Sequence, residues 1–360
     1  MKKVLALLLI LTMSIFAFVG CAKEQIAPEQ QPAEKPAEVP SSEESAGNTA
    51  DNAVKTGLAV ITSVEKSKDA TADAEGFGQS DSVVLAVTVD KDGKIVRAAI
   101  DTAQTKINFS AEGKVTSDLA AAYKSKQELK EEYGMSKASK LGKEWYEQAN
   151  VLADYFVGKT AEEIKAIPTD DTGVPTDADL VSSVTIKING YKEAVEKAVA
   201  NAKDLGATAD DQLGLGISTT IKKSKDAAAD AEGQVQAYST YAVATFNADG
   251  KITSSIIDAS QANVKFDTAG KITSDLTASV KTKNELQDEY GMRAASKLGK
   301  EWYEQADAFT KFIGGKTAEE VKGIALDDEG HSTDADLVSS VTVAVDSFQD
   351  VIEEAFLLAK

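Results

Sequence analysis

The chain has 360 residues and carries 58 acidic against 39 basic side chains, a formal net charge of −19 at pH 7. That balance argues against nucleic acid as a partner, because binding a phosphate backbone needs a basic surface. Cys21 is the only cysteine, so intramolecular disulfides, zinc–thiolate centres and Fe–S clusters are excluded.

Residues 1–20 read as an export signal: Lys2 and Lys3 form a charged start, followed by an almost unbroken apolar run over residues 4–19. That run is too short and wrongly flanked for a stable membrane span. It ends Phe18-Val19-Gly20-Cys21, which resembles the lipobox of bacterial lipoproteins with Phe18 in place of the usual leucine. The resemblance implies cleavage before Cys21 and lipidation of that residue. A lipid chain would tether a soluble protein to the extracytoplasmic face of the cell membrane. Residues 21–56 are rich in Ala, Glu, Pro, Ser and Gln. Such a segment buries too little apolar surface to offset its ordering entropy, and it reads as a disordered spacer.

A globular module follows over residues 57–203. Apolar alternation predicts a strand over 58–64, and residues 66–79 read as a loop. The β-branched run 83–89 predicts a second strand. Asp90-Lys91-Asp92-Gly93 reads as a hairpin turn, because Asp-Gly supplies positive φ at low cost. The returning strand is expected over 94–101, with a further extended piece over 106–109 and a turn at Glu112-Gly113. Residues 117–129 carry mixed signals. Leu141, Trp145, Ala149, Leu152 and Phe156 form the stripe of an amphipathic helix over 137–156. Thr160-Ala161-Glu162-Glu163 reads as a capping box opening a short helix to about residue 167. Residues 170–179 form an acidic loop. Residues 184–188 fit either a strand or a helical stripe. A last helix over 189–202 presents Tyr191, Val195, Ala198 and Val199 on one face.

After a link over 204–213, residues 214–360 repeat residues 57–203 at a constant offset of 157, with roughly half of the aligned positions identical. Periods of about 20–50 residues signal solenoids, whereas a unit of this size is a whole domain. The expected fold class is therefore α+β: two tandem copies of one module, each an antiparallel sheet with a hairpin packed by helices. The repeat also filters chemistry. The only histidine, His331, faces Val174 in the first copy, so a Ser-His-Asp triad cannot exist in both. No catalytic constellation is shared by the copies, and the chain does not read as an enzyme. Asp170-Asp171 and Asp327-Asp328 lack the spacing of a calcium loop, and no metal site is expected.

The string Asp177-Ala178-Asp179-Leu180-Val181-Ser182-Ser183-Val184-Thr185 stands unchanged as residues 334–342. Its acids and hydroxyls could serve as helix or turn caps, with Asp179 and Ser182-Ser183 as the capping groups. It also resembles the closing signature of the FMN-binding domain of Rnf and sodium-pumping NADH:quinone oxidoreductase flavoprotein subunits and of Gram-positive extracellular electron-transfer lipoproteins. That signature has the form Asp-x-x-Ser/Thr-Gly-Ala-Thr/Ser. Asp179, Ser182 and Thr185 match it, as do Asp336, Ser339 and Thr342. The family's early Asp-Gly-Lys-Ile hairpin is matched by residues 92–95 and 249–252. The resemblance implies FMN as cofactor, attached through a phosphoester to Thr185 and Thr342 by a flavin transferase outside the cytoplasm. It further implies a membrane electron donor as partner and electron relay as the role. Ser183-Val184 and Ser340-Val341 replace the family's Gly-Ala, and glycine in such a motif permits close backbone approach or positive φ. The alternative is a redox-inactive ligand-binding or adhesion lipoprotein that keeps the fold without flavin. Trp145, Tyr146 and Tyr133 recur as Trp302, Tyr303 and Tyr290. The tryptophans are expected in the core, and Tyr146 is the more open to a ligand.

Overall fold

The computed structural model describes residues 52–360. The expected signal peptide, the Cys21 anchor and most of the spacer fall outside the described residues. No helix among the described residues is long and apolar enough to cross a membrane.

The first half begins with β1 (Lys55–Ser63), β2 (Gly76–Val89) and β3 (Ile95–Phe109), an antiparallel sheet in the order β1-β2-β3. The helices α1 (Lys126–Leu129), α2 (Trp145–Phe156), α3 (Ala161–Lys165) and α4 (Asn189–Ala200) follow. The second half has β4 (Gln212–Thr220), β5 (Gly233–Phe246) and β6 (Ile252–Phe266), again antiparallel in chain order. Its helices are α5 (Lys283–Leu286), α6 (Trp302–Ile313), α7 (Ala318–Lys322), α8 (Ala335–Val338) and α9 (Asp346–Leu357). The architecture is mixed α+β, and the strands of the second half stand 157 residues after those of the first.

The strands are longer than expected. β2 starts at Gly76, inside the segment read as a loop, and β3 runs without a break through Gln104 and Lys106. Residues 80–89 of β2 are buried almost throughout because the sheet is covered on both faces. On one face Leu85, Val87 and Ile100 pack against Trp145, Leu152, Val195 and Ala198 from the helices. On the other, Leu58, Val60, Val84 and Ala86 meet Leu213, Leu215, Ile217, Tyr241 and Val243 of the second sheet. The layers are helices, sheet, sheet, helices, with the two sheets packed face to face. Helix α4 lies so close to β1 that a Cβ at Gly57 would strike the Ala198 carbonyl oxygen. Gly214 meets the Ala355 carbonyl oxygen of α9 in the same way.

The halves meet through reciprocal contacts. Ala70 N donates to Gly270 O, and Ala227 N donates to Gly113 O, both at 2.8 Å. Val115 N donates to Asp226 Oδ1 at 2.8 Å and Ile272 N to Asp69 Oδ1 at 2.7 Å. Phe109 and Phe266, counterparts in the repeat, stack with centroids 4.1 Å apart and planes within 1°. A pseudo-twofold axis therefore relates the halves. The end of the segment expected to be a disordered spacer is ordered: β1 begins at Lys55, Val54 N donates to Ala207 O of the link at 3.0 Å, and Thr56 N donates to Lys203 O of the first module at 2.9 Å.

Local signals explain the helix ends. Thr160 Oγ1 accepts from Glu163 N, and a Glu163 carboxylate oxygen accepts from Thr160 N, as the expected capping box requires. Helix α2 starts at Trp145 and not near residue 137. Gly142, at φ +63°, breaks the run. The Glu144 carboxylate then accepts from Met135 N at 2.7 Å and Ser136 N at 3.0 Å, pinning the preceding turn outside the helix. Residues 184–188 form neither strand nor helix, yet Val184 and Ile188 are fully buried against the helices.

Candidate functional site

The repeated string forms the turn between the acidic loop and the last helix of each half. Asp334 Oδ1 accepts from Asp336 N at 3.0 Å and Leu337 N at 3.2 Å, capping α8. Asp177 Oδ1 accepts from Asp179 N at 3.0 Å. The capping acids are thus Asp177 and Asp334, whereas Asp179 and Asp336 are exposed. Ser182 and Ser339 are also exposed. Ser182 Oγ lies 3.4 Å from Ser183 Oγ. Ser339 Oγ and Ser340 Oγ donate back to the carbonyls of Asp336 and Leu337, the local bonding such residues favour at turns. Neither Ser183 nor Ser340 adopts positive φ; among the described non-glycine residues only Lys130 and Gln287 do. The absence of glycine therefore costs no backbone strain here, and Val184 and Val341 are buried.

Those buried valines carry Thr185 and Thr342 to the wall of a cleft. Each threonine is held by a buried glutamine that the sequence reading passed over. Gln148 Oε1 accepts from Thr185 N at 2.7 Å and from Thr185 Oγ1 at 3.2 Å. Gln305 Oε1 accepts from Thr342 N at 2.8 Å and from Thr342 Oγ1 at 3.3 Å. The other end of each amide donates to Ser139 or Ser296. The available signal was a glutamine repeated on the apolar face of a helix, within the string Trp-Tyr-Glu-Gln-Ala. Gln148→Ala leaves the Thr185 amide without its acceptor, and a loss of about 1–3 kcal/mol is expected. Urea unfolding measures it; an unchanged midpoint would contradict the role.

The first cleft, of about 760 Å³, is lined by Thr185, Tyr133, Met135, Trp145 and Tyr191, with Lys66, Lys126, Lys140 and Lys187 against the single carboxylate Asp170. The second, of about 440 Å³, sits at the equivalent place beside Thr342. Its charged lining is Lys297, Asp327, Glu329 and His331, and no Trp, Tyr or Phe reaches it. Volumes of about 300–1,000 Å³ suit small-molecule ligands. Trp145, expected in the core, is buried and also lines the first cleft. Tyr146 does not line it; its hydroxyl donates to Glu131 Oε1 at 3.0 Å. Burial pushes the Tyr191 hydroxyl up to about 12, so it stays neutral at the cleft floor.

The acidic loop is a structured turn. Asp170 Oδ1 accepts from Thr172 N, Thr172 Oγ1 and Val174 N, and the bond from the Thr172 side chain leads in holding its carboxyl below the usual range. In the second half Asp327, Glu329 and His331 offer ligand atoms within 4.8 Å of one another. The first half has Asp170, Thr172 and Val174 there, so a shared metal site has no support.

Comparison with known proteins finds no matching family model, no matching curated protein and no matching solved structure.

Proposed function

We propose that the chain is a lipid-anchored extracytoplasmic electron carrier built from two copies of one FMN-binding-like module. The observation that supports it is the recurrence of one ligand-sized cleft in both halves, each with a half-buried threonine of the repeated string in its wall. In this reading flavin supplies the redox chemistry and the protein holds and orients it. The chain's partner would be a membrane electron donor, with no substrate of its own turned over. Thr185 Oγ1 or Thr342 Oγ1 would carry the phosphoester, and the bond each now donates to Gln148 or Gln305 would be given up.

The test is expression of the mature chain with a flavin transferase, followed by denaturation, absorbance and intact mass. An FMN-sized gain in mass that disappears when Thr185→Ala and Thr342→Ala are combined is the expected result. A colourless chain at apo mass, in a host that modifies a control domain, rules out covalent attachment. Titration with free FMN then tests reversible binding. A second reading, a ligand-binding surface lipoprotein without redox activity, is favoured by Val184 and Val341, whose branched side chains occupy core positions where the resembling signature has alanine.

A further inference from the structure

The two clefts have diverged. Where the first half has Asp81, the second has Tyr238, and where the first has Tyr191 the second has Phe348. Tyr238 adds a third aromatic wall around Lys283. The Lys283 ammonium lies 4.7, 4.5 and 4.8 Å from the ring centroids of Tyr238, Tyr290 and Trp302. It also donates to the Tyr238 hydroxyl at 2.8 Å. Lys283 is 4% exposed and does not line the second cleft. An ammonium boxed by aromatic faces is held by their quadrupoles, and here it covers the faces of Tyr238, Tyr290 and Trp302.

The first half lacks this box. Lys126 stands over only two rings, Tyr133 at 4.5 Å and Trp145 at 5.3 Å. Asp81, in place of the third ring, is turned to Lys66 at 2.6 Å. Lys126, Tyr133 and Trp145 all open onto the cleft. With Lys66 held by Asp81, three lysines remain against one carboxylate, which makes the cleft basic in a chain of net charge −19, whereas the second cleft has one lysine against two carboxylates.

We infer that the first cleft is the site for a planar aromatic anion, and that Tyr238 and the boxed Lys283 close the second cleft to it. The inference rests on the flavin reading and refines it: one chain holds one ring, and electrons do not pass between two flavins within a chain. Burial also pushes the Lys283 ammonium down to about 7, which weakens it further as an anion partner.

The experiment is a fluorescence titration of the mature chain with FMN, and with riboflavin as the ring without its phosphate. One equivalent of FMN per chain is expected, with riboflavin bound about tenfold or more weakly, since bonds to a charged group are the stronger ones. Lys140→Ala and Lys297→Ala change exposed counterparts, so folding is spared. Lys140→Ala is expected to weaken FMN severalfold and leave riboflavin unchanged, and Lys297→Ala to change neither. Tyr238→Asp, which installs the first half's own residue, is expected to admit a second, weaker equivalent. Two equal equivalents in the unaltered chain, or equal losses in the two lysine variants, overturn the asymmetry while leaving the flavin reading standing. No binding of either compound overturns the cleft assignment, and together with a chain at apo mass in the transferase experiment it overturns the flavin reading as well.

Discussion

Raising the pH from 5 to 7 is expected to destabilise the folded halves by several kcal/mol, and Glu354→Gln to remove the largest share of that dependence. The cause lies where the pseudo-symmetry of the interface fails. On one side Lys197 pairs with Glu285 at 2.8 Å across the halves. The counterparts on the other side are Glu354 and Glu128, so an acid stands where the first side has a base. Glu354 Oε2 accepts from Ile217 N at 2.7 Å. Its Oε1 is buried without a hydrogen-bond partner, as is Asp101 Oδ2.

Burial, then the charges of Glu128 and Asp101, push Glu354 up from 4.5 to about 9. Burial also raises Asp101 to about 7 and Asp258 to about 6 against the pull of their hydrogen bonds. A carboxyl raised in the folded state keeps a proton that the unfolded chain has released. The stability it contributes is full below the unfolded value and is lost as pH rises through the folded value. From about pH 4.5 to 6 all three act in the same sense, and Asp101 and Glu354 continue to 7. Lys283, lowered from 10.5 to about 7, works oppositely: its stability is present above 10.5 and is lost as pH falls through 7, so above pH 7 it offsets Glu354. One group contributes about 1.4 kcal/mol per pH unit while its two states differ by a full proton, or about 3 kcal/mol for Glu354 between pH 5 and 7. Urea unfolding at pH 5, 6 and 7 measures this. Equal slopes for the wild-type chain and Glu354→Gln would contradict it. Glu354→Lys, which copies Lys197, is expected to raise stability at pH 7 and above.

Phe109→Ala and Phe266→Ala are each expected to cost about 3–5 kcal/mol. Both rings are fully buried and each is the other's stacking partner on the pseudo-axis. Because they share one contact, the double variant should lose less than the two single losses together. The rings belong to a cluster drawn from both sheets, including Ile107, Ile221, Val235 and Val264. Either change is therefore expected to weaken the whole chain through a single cooperative transition. Two separated calorimetric transitions, with only the altered half shifted, would show that the halves fold independently.

The parts of the fold legible in the sequence rest on local chemistry. The Asp90 turn closes as expected, with Asp90 Oδ1 accepting from Asp92 N and Lys94 N. The Thr160 capping box and the apolar face of α4 also depend on residues within a few positions of each other. The extensions of β2 and β3 were hidden because residues 76–82 and 104–106 are largely polar and pair beyond the helix-covered core. The sandwich between the halves left one trace, the run Val83-Val84-Leu85-Ala86-Val87. It has no polar alternation because both of its faces are covered, a pattern more usual in parallel sheets. At the site, the repeated string pointed to Thr185 and Thr342, and the structure places both on clefts. It could not show that Asp177 caps where Asp179 was expected to, nor that Gln148 holds Thr185 from 37 positions away. The Asp81-to-Tyr238 difference is visible in the two copies, but only the fold places Tyr238 over Lys283.

The most direct test of the flavin reading is a crystal structure of the mature chain grown with FMN. One isoalloxazine ring per chain is expected in the first cleft, beside Tyr133 and Trp145, with its phosphate among Lys126, Lys140 and Lys187 and no flavin beside Thr342. Both clefts without flavin at saturating FMN, or a ring bound away from Thr185, would contradict it.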